Sequence, residues 1–196
     1  MEQGQIDVKD IREMLKMWKK ANISYLELLY SNWIWVNPKY MRMYEIISMR
    51  DSIVSMNREG LFKSIKGMAY EKKKALCHSY PTIKWKIDKW GYDGKQLSHT
   101  ARLHEWITRY LQGDFPKDCF NPISKNTLMR MKKQEGITKE EAIRWEDDIV
   151  QEIDNLINPV LDSRALCFHD GTWDLLQHHA EQIMLQRIKE EMKDYE

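Results

Sequence analysis

Residues 91–106 read GYDGKQLSHTARLHEW, and the fold and the function both turn on how this stretch is read. Glycines on either side of Tyr92-Asp93 mark a turn. The residues after it predict a helix that stops near Gly113, ahead of Pro116. At about 100° per residue, Lys95, His99, Arg102, Trp106 and Arg109 share an arc of roughly 80°. Leu97, Ala101, His104, Ile107 and Leu111 fall on the far side. The cationic stripe is therefore either a phosphate-binding surface or the wet side of an ordinary amphipathic helix.

Working outward, nearly every segment reads as helix. Residues 8–21 place Ile11, Met14, Leu15 and Trp18 on one apolar stripe, with Asp7 as the N-cap and Asn22 as the stop. Residues 24–31 read as a short second helix. The run NWIWVNP leans towards a strand ending at Asn37-Pro38. A helix is expected over 39–56, and Asn57 can cap another through Cys77. The stretch IKWKIDKW (83–90) is open between an extended segment and a short helix. Beyond Pro122 a short basic helix covers 124–134. Thr138 and Glu141 then form a capping box for a long acidic helix that Pro159 should end. A last helix spans 172–194, with Trp173, Leu176, Ile183 and Ile188 inward. The fold class expected is mostly α: a helical bundle with at most one or two short strands near the N-terminus.

Composition narrows the function classes. The chain has 196 residues, 42% hydrophobic and 31% charged, which fits a globular protein of one domain rather than a disordered chain. It holds no apolar run of the ~18 residues that a membrane span needs, so no membrane partner is expected. The N-terminus MEQGQIDVKD has no signal-peptide pattern, and three widely spaced cysteines suit free thiols. A cytoplasmic location is the corresponding expectation. Eight tryptophans and twelve methionines are expected to fill the core.

The net charge of +1 hides an asymmetry. Residues 1–57 carry 8 basic and 7 acidic side chains, 58–133 carry 17 and 7, and 134–196 carry 6 and 16. Within the single domain 1–196, this gives a basic helical core (58–133) followed by an acidic helical end (134–196). The two either pair with each other or present opposite patches.

The turn Gly91-Tyr92-Asp93, with Lys95, Ser98-His99 and Arg102-Leu103, resembles the helical C-terminal part of a bacterial and phage family of nucleotidyltransferases of the DNA polymerase β-like superfamily. The likeness extends to Asn22 with Leu26-Glu27-Leu28-Leu29, to Val36-Asn37-Pro38, to Lys66-Gly67-Met68-Ala69 and to LMRMKKQEGITKEEA (128–142). It covers roughly residues 6–157 in order and makes 1–57 a remnant of the family's strand-helix region. Nucleotidyltransferase chemistry needs a Gly-Ser loop, an Asp-x-Asp strand and a third carboxylate to hold two metal ions. The sequence contains neither a Gly-Ser dipeptide nor an Asp-x-Asp. Only Asp7 falls where the third carboxylate would be, and it is better explained as a helix cap. The chain is therefore expected to begin partway through the family fold, and a divalent metal cofactor is not expected with this chain alone.

Lys95, His99 and Arg102 are spaced to share one anion, and the helix start adds positive potential. The resemblance implies that this helix faces nucleotide phosphates, with Trp106 as a stacking face and Tyr92 and Arg109 beside it. The first reading is a nucleotidyltransferase-like protein without the two-metal motif, binding RNA or nucleotide phosphates. Were it to cleave or modify RNA, His99 would move the proton, and Lys95 and Arg102 would stabilise the charged phosphate. One alternative is a phage-type counter-defence inhibitor that docks an acidic surface (Glu146, Asp147, Asp148) on a nucleic-acid-handling complex. Another is half of a split nucleotidyltransferase whose partner supplies the missing motifs. Two weaker patterns are Arg164 with His169, at a spacing found in some metal-free ribonucleases, and Cys167, His169, His178 and His179, which lack an ordinary zinc spacing. His104 reads as a core histidine.

Overall fold

The computed structural model describes residues 8–163 and 166–193. Asp7 and Arg164, with the roles weighed for them, lie outside the described residues. Among those described there are eleven α-helices and no strand, only an isolated bridge between Asn57 and Phe168. No helix is long and apolar enough to cross a membrane.

The chain divides into two compact units, residues 1–61 with 167–196, and residues 62–166. This division does not follow the charge segments. The acidic stretch is shared out, its first helix going to the second unit and its last to the first.

The first unit contains α1 (Ile11–Lys19), α2 (Ile23–Glu27), α3 (Arg42–Ser48), α4 (Arg50–Met56) and α11 (Asp170–Lys193). Asp10 caps α1 by accepting from the Arg12 amide, so the helix starts later than the spacing suggested. Asn22 starts α2 by accepting from Ser24 and Tyr25. Trp18 Nε1 donates to the Tyr25 carbonyl at 3.1 Å and closes α1 on α2. The helix expected over 39–56 is broken at Met49, whose ψ of 2° leaves the α-helical range and separates α3 from α4. Leu15, Trp18, Ile46, Ile53, Leu176 and Ala180 form the core of this unit. Ile188, expected inward, is exposed. The run NWIWVNP forms no strand, and Trp33 within it is 93% exposed.

The second unit is built round α7 (Gly94–Gln112), with α6 (Lys84–Trp90), α8 (Pro116–Cys119), α9 (Lys125–Lys133), α10 (Lys139–Asp162) and most of α5 (Arg58–Ala75). The uncertainty over 83–90 resolves as helix. α7 starts at Asp93, which accepts from the Lys95 amide, and stops at Gly113, whose φ of 100° only glycine adopts without strain. Gly94 has a second reason to be glycine. A Cβ there would sit 2.1 Å from the Met131 carbonyl oxygen, so α9 meets the first turn of α7 with no space for a methyl group. Thr138 and Glu141 make the expected capping box on α10. Pro159, expected to end that helix, lies inside it. Only one turn follows, so the missing N–H removes a single bond near a frayed end.

An electrostatic seam joins α5 to α10. Lys66 pairs with Asp154 at 3.0 Å, Tyr70 donates to Asp154 at 2.5 Å, and Lys73 pairs with Asp147 at 2.8 Å. The numbering rises on one helix as it falls on the other, so the two run antiparallel. On the facing side of α10, Thr100 Oγ1 donates to Glu146 Oε1 at 2.6 Å. Glu146 is wholly buried and its second oxygen has no partner. Burial pushes its carboxyl up to about 7, against the opposing pull of Thr100 and Lys73. Because the folded-state value exceeds the unfolded one, the neutral acid favours folding. That contribution is complete below about pH 4.5, falls as pH rises, and is gone above about 7. Glu146→Gln should abolish this decline: near pH 4.5 the two should converge, and at pH 8 the variant should be more stable by about 3 kcal/mol. Urea unfolding across that range would measure it, and a pH-independent difference would refute the assignment.

Candidate phosphate-binding surface

The stripe on α7 is divided in two by what packs on it. Its C-terminal half is structural. Trp106, expected to offer a stacking face, is 3% exposed, lies parallel to Tyr110 with centroids 4.8 Å apart, and touches Phe120 at 5.4 Å. Arg109, expected at the phosphate surface, donates instead to Asp114 at 2.7 Å and to the carbonyls of Asp118 and Asn121. Its guanidinium thereby holds the loop that seals Trp106. One turn earlier, Glu105 accepts from the Ile123 and Ser124 amides and the Ser124 hydroxyl, which anchors the start of α9. Burial alone would raise the Glu105 carboxyl, but these hydrogen bonds outweigh it and hold it low.

Tyr92 is likewise withdrawn from any ligand. It is fully buried, donates from its hydroxyl to the Ile137 carbonyl at 3.2 Å, and accepts at its own carbonyl from Gln134 Nε2. The turn 91–94 is a packing junction: Gly91 ends α6 with φ of 79°, Tyr92 fills the core with Leu76, Leu97, Met131 and Ile137, and Asp93 caps α7. His104 pairs with Glu152 at 3.0 Å, at the edge of the α7–α10 contact.

The N-terminal half of the stripe stays together and gains members. Lys95 is exposed, and His99 and Arg102 are half-buried. Lys72 from α5 and Lys132 from α9 join them within electrostatic reach of His99. Among the described residues, Lys72, Lys95 and Lys132 make no ion pair. His99 registers the result. Burial first, then the fields of Arg102, Lys72, Lys95 and Lys132, push its imidazole down to about 4. At neutral pH it is the uncharged base, so of the two roles expected for it, proton donor or acceptor, the free protein keeps the second. What the arrangement offers chemically is four cations from three helices around a neutral histidine, suited to an anion carrying several charges.

Sequence spacing could not find Lys72 and Lys132, which stand 23 residues before and 37 after Lys95. The available signal was the runs KKK at 72–74 and KK at 132–133, each in the last turn of a helix. Lysines there are usually explained by the helix dipole. The three carboxylates considered for an inhibitor surface are placed differently from one another. Glu146 is buried, Asp147 is paired with Lys73, and Asp148 is exposed with no ion pair among the described residues. No group of three or more His, Cys, Asp or Glu side chains converges as a metal site among the described residues, and Cys77, Cys119 and Cys167 are free. Neither family models, nor curated proteins, nor solved structures yield a match to this chain.

If the lysines set the state of His99, removing one must release it. Lys95→Ala should raise the His99 pKa by a few tenths of a unit, as should added salt. An NMR titration of the imidazole signals would read both, and a value unmoved by either would show that burial alone lowers it.

Proposed function

We propose that the chain is a nucleotidyltransferase-like protein that grips RNA or nucleotide phosphates through α7 and its neighbours and lacks the two-metal chemistry of such enzymes. The observation that carries this reading is the convergence of Lys72, Lys95, Arg102 and Lys132 on His99, with the three lysines free of carboxylate partners among the described residues. The three lysines, like charges held together, repel one another, and a polyanion removes that repulsion on binding. The resemblance of residues 6–157 to the helical half of nucleotidyltransferases supports the same face, since there the corresponding helix is directed at phosphates.

Binding also explains the histidine better than catalysis does. A base of pKa about 4 is a poor match for proton transfer at neutral pH. It is well suited to donate one ring N–H to a phosphate oxygen without adding another repelling charge. An anion among the lysines would raise the His99 pKa, so binding takes up protons and tightens as pH falls from 6 towards 4.

The experiment is a salt series. Wild-type protein should bind single-stranded RNA with an affinity that falls steeply as salt rises. Lys72→Ala, Lys95→Ala and Lys132→Ala combined should flatten the log–log slope by about 2. Affinity that ignores salt, or a triple variant that binds as the wild type does, would refute the proposal.

A further inference from the structure

α6 contains three lysines and two tryptophans in seven residues, KWKIDKW. Its only carboxylate, Asp88, is held by Lys84 at 3.1 Å. Trp90 is half-buried against the core that includes Tyr92 and Leu97. Trp85 is 58% exposed and meets Trp90 edge-on, with centroids 5.7 Å apart and planes at 61°. The exposed indole is therefore braced by one anchored in the core. Lys86 Nζ lies 5.8 Å from the Trp85 ring, and Lys89 Nζ lies 4.2 Å from that of Trp90.

The position of α6 matters as much as its composition. Lys86 reaches Asp93 Oδ1 at 3.4 Å, the atom that also accepts from the Lys95 amide at 3.2 Å. One carboxylate thus ties α6 to the residue that opens the cationic cluster. Along α7 itself the aromatic side chains cannot receive a base: Trp106 is buried and Tyr110 lies stacked against it.

We propose that Trp85 is a stacking platform for an unpaired base, and that the ligand of this surface is a single-stranded nucleic acid whose phosphates lie on Lys72, Lys95, Arg102 and Lys132. The proposal rests on the phosphate reading and adds a substrate class to it. Two properties of α6 select this occupant. Lys89, which makes no ion pair among the described residues, complements a polyanion beside the cationic cluster, and the exposed indole needs a flat apolar partner. A single strand supplies both, because each base has a free face, whereas the bases of a duplex already stack on each other.

The test compares three probes on the full chain: a short oligouridylate, an abasic oligomer of equal length and charge, and inorganic tripolyphosphate. Wild-type protein should bind the oligouridylate more tightly than the abasic oligomer. Trp85→Ala should weaken the oligouridylate by about tenfold and leave tripolyphosphate unchanged, while Trp85→Phe should retain most of the affinity. Equal binding of the two oligomers by the wild type overturns the proposal without any variant, as does a Trp85→Ala protein that binds oligouridylate normally. Preference for a duplex of the same sequence over the single strand overturns it as well. Tripolyphosphate bound with the oligomers undistinguished leaves the phosphate surface standing and removes the platform. No binding of any probe removes both.

Discussion

Everything in the second unit depends on how closely the end of α9 approaches the start of α7. The Met131 carbonyl occupies the space where any side chain at residue 94 would begin. With that contact made, Gln134 turns back in the left-handed region to reach the Tyr92 carbonyl, and Tyr92 can span to Ile137. Asp93 is then fixed as the cap of α7 and as the acceptor for Lys86. The same approach carries Lys132 towards Lys95 and His99. A packing constraint between two backbones thus sets the spacing of charges on the surface, without any ion pair to hold them.

The charge asymmetry of the chain is resolved unevenly. α10 neutralises part of the basic core from within its own unit, through Lys66 and Lys73. Asp154 is buried and Lys73–Asp147 is an exposed pair, a kind that contributes little to stability. The effect of both pairs is on where positive potential remains. It survives around His99, and on α6 at Lys89, which makes no ion pair among the described residues, whereas Lys84 and Lys86 are held by Asp88 and Asp93.

Residues whose role is local were legible in the sequence. Asn22, Asn57, Thr138 with Glu141, and Gly113 mark helix ends through their own backbone and near neighbours, and the structure uses each of them that way. The α7 stripe was legible as a row but not as a surface. Periodicity gives the angle of a side chain about its helix axis and says nothing of what else packs there. For this reason Lys95 and His99 could not be told from Trp106 and Arg109, which the loop between α7 and α9 covers. Tryptophan misled in the opposite sense. The expectation that these residues fill the core holds for Trp18 and Trp106, whereas Trp33, Trp35 and Trp85 are exposed. Lys72 and Lys132 depend on three helices meeting, and no spacing rule within one helix reports that.

The discontinuity of the first unit bears on how the protein is made. Its core needs Leu176, Ala180 and Ile183 from α11, yet its other helices leave the ribosome more than a hundred residues earlier. The second unit is continuous in the chain, so none of its contacts waits for α11. The first cannot close until α11 has been made. In that interval Trp18, Ile46 and Ile53 lack the helix that covers them, and the nascent chain is at its most exposed to chaperones and to aggregation.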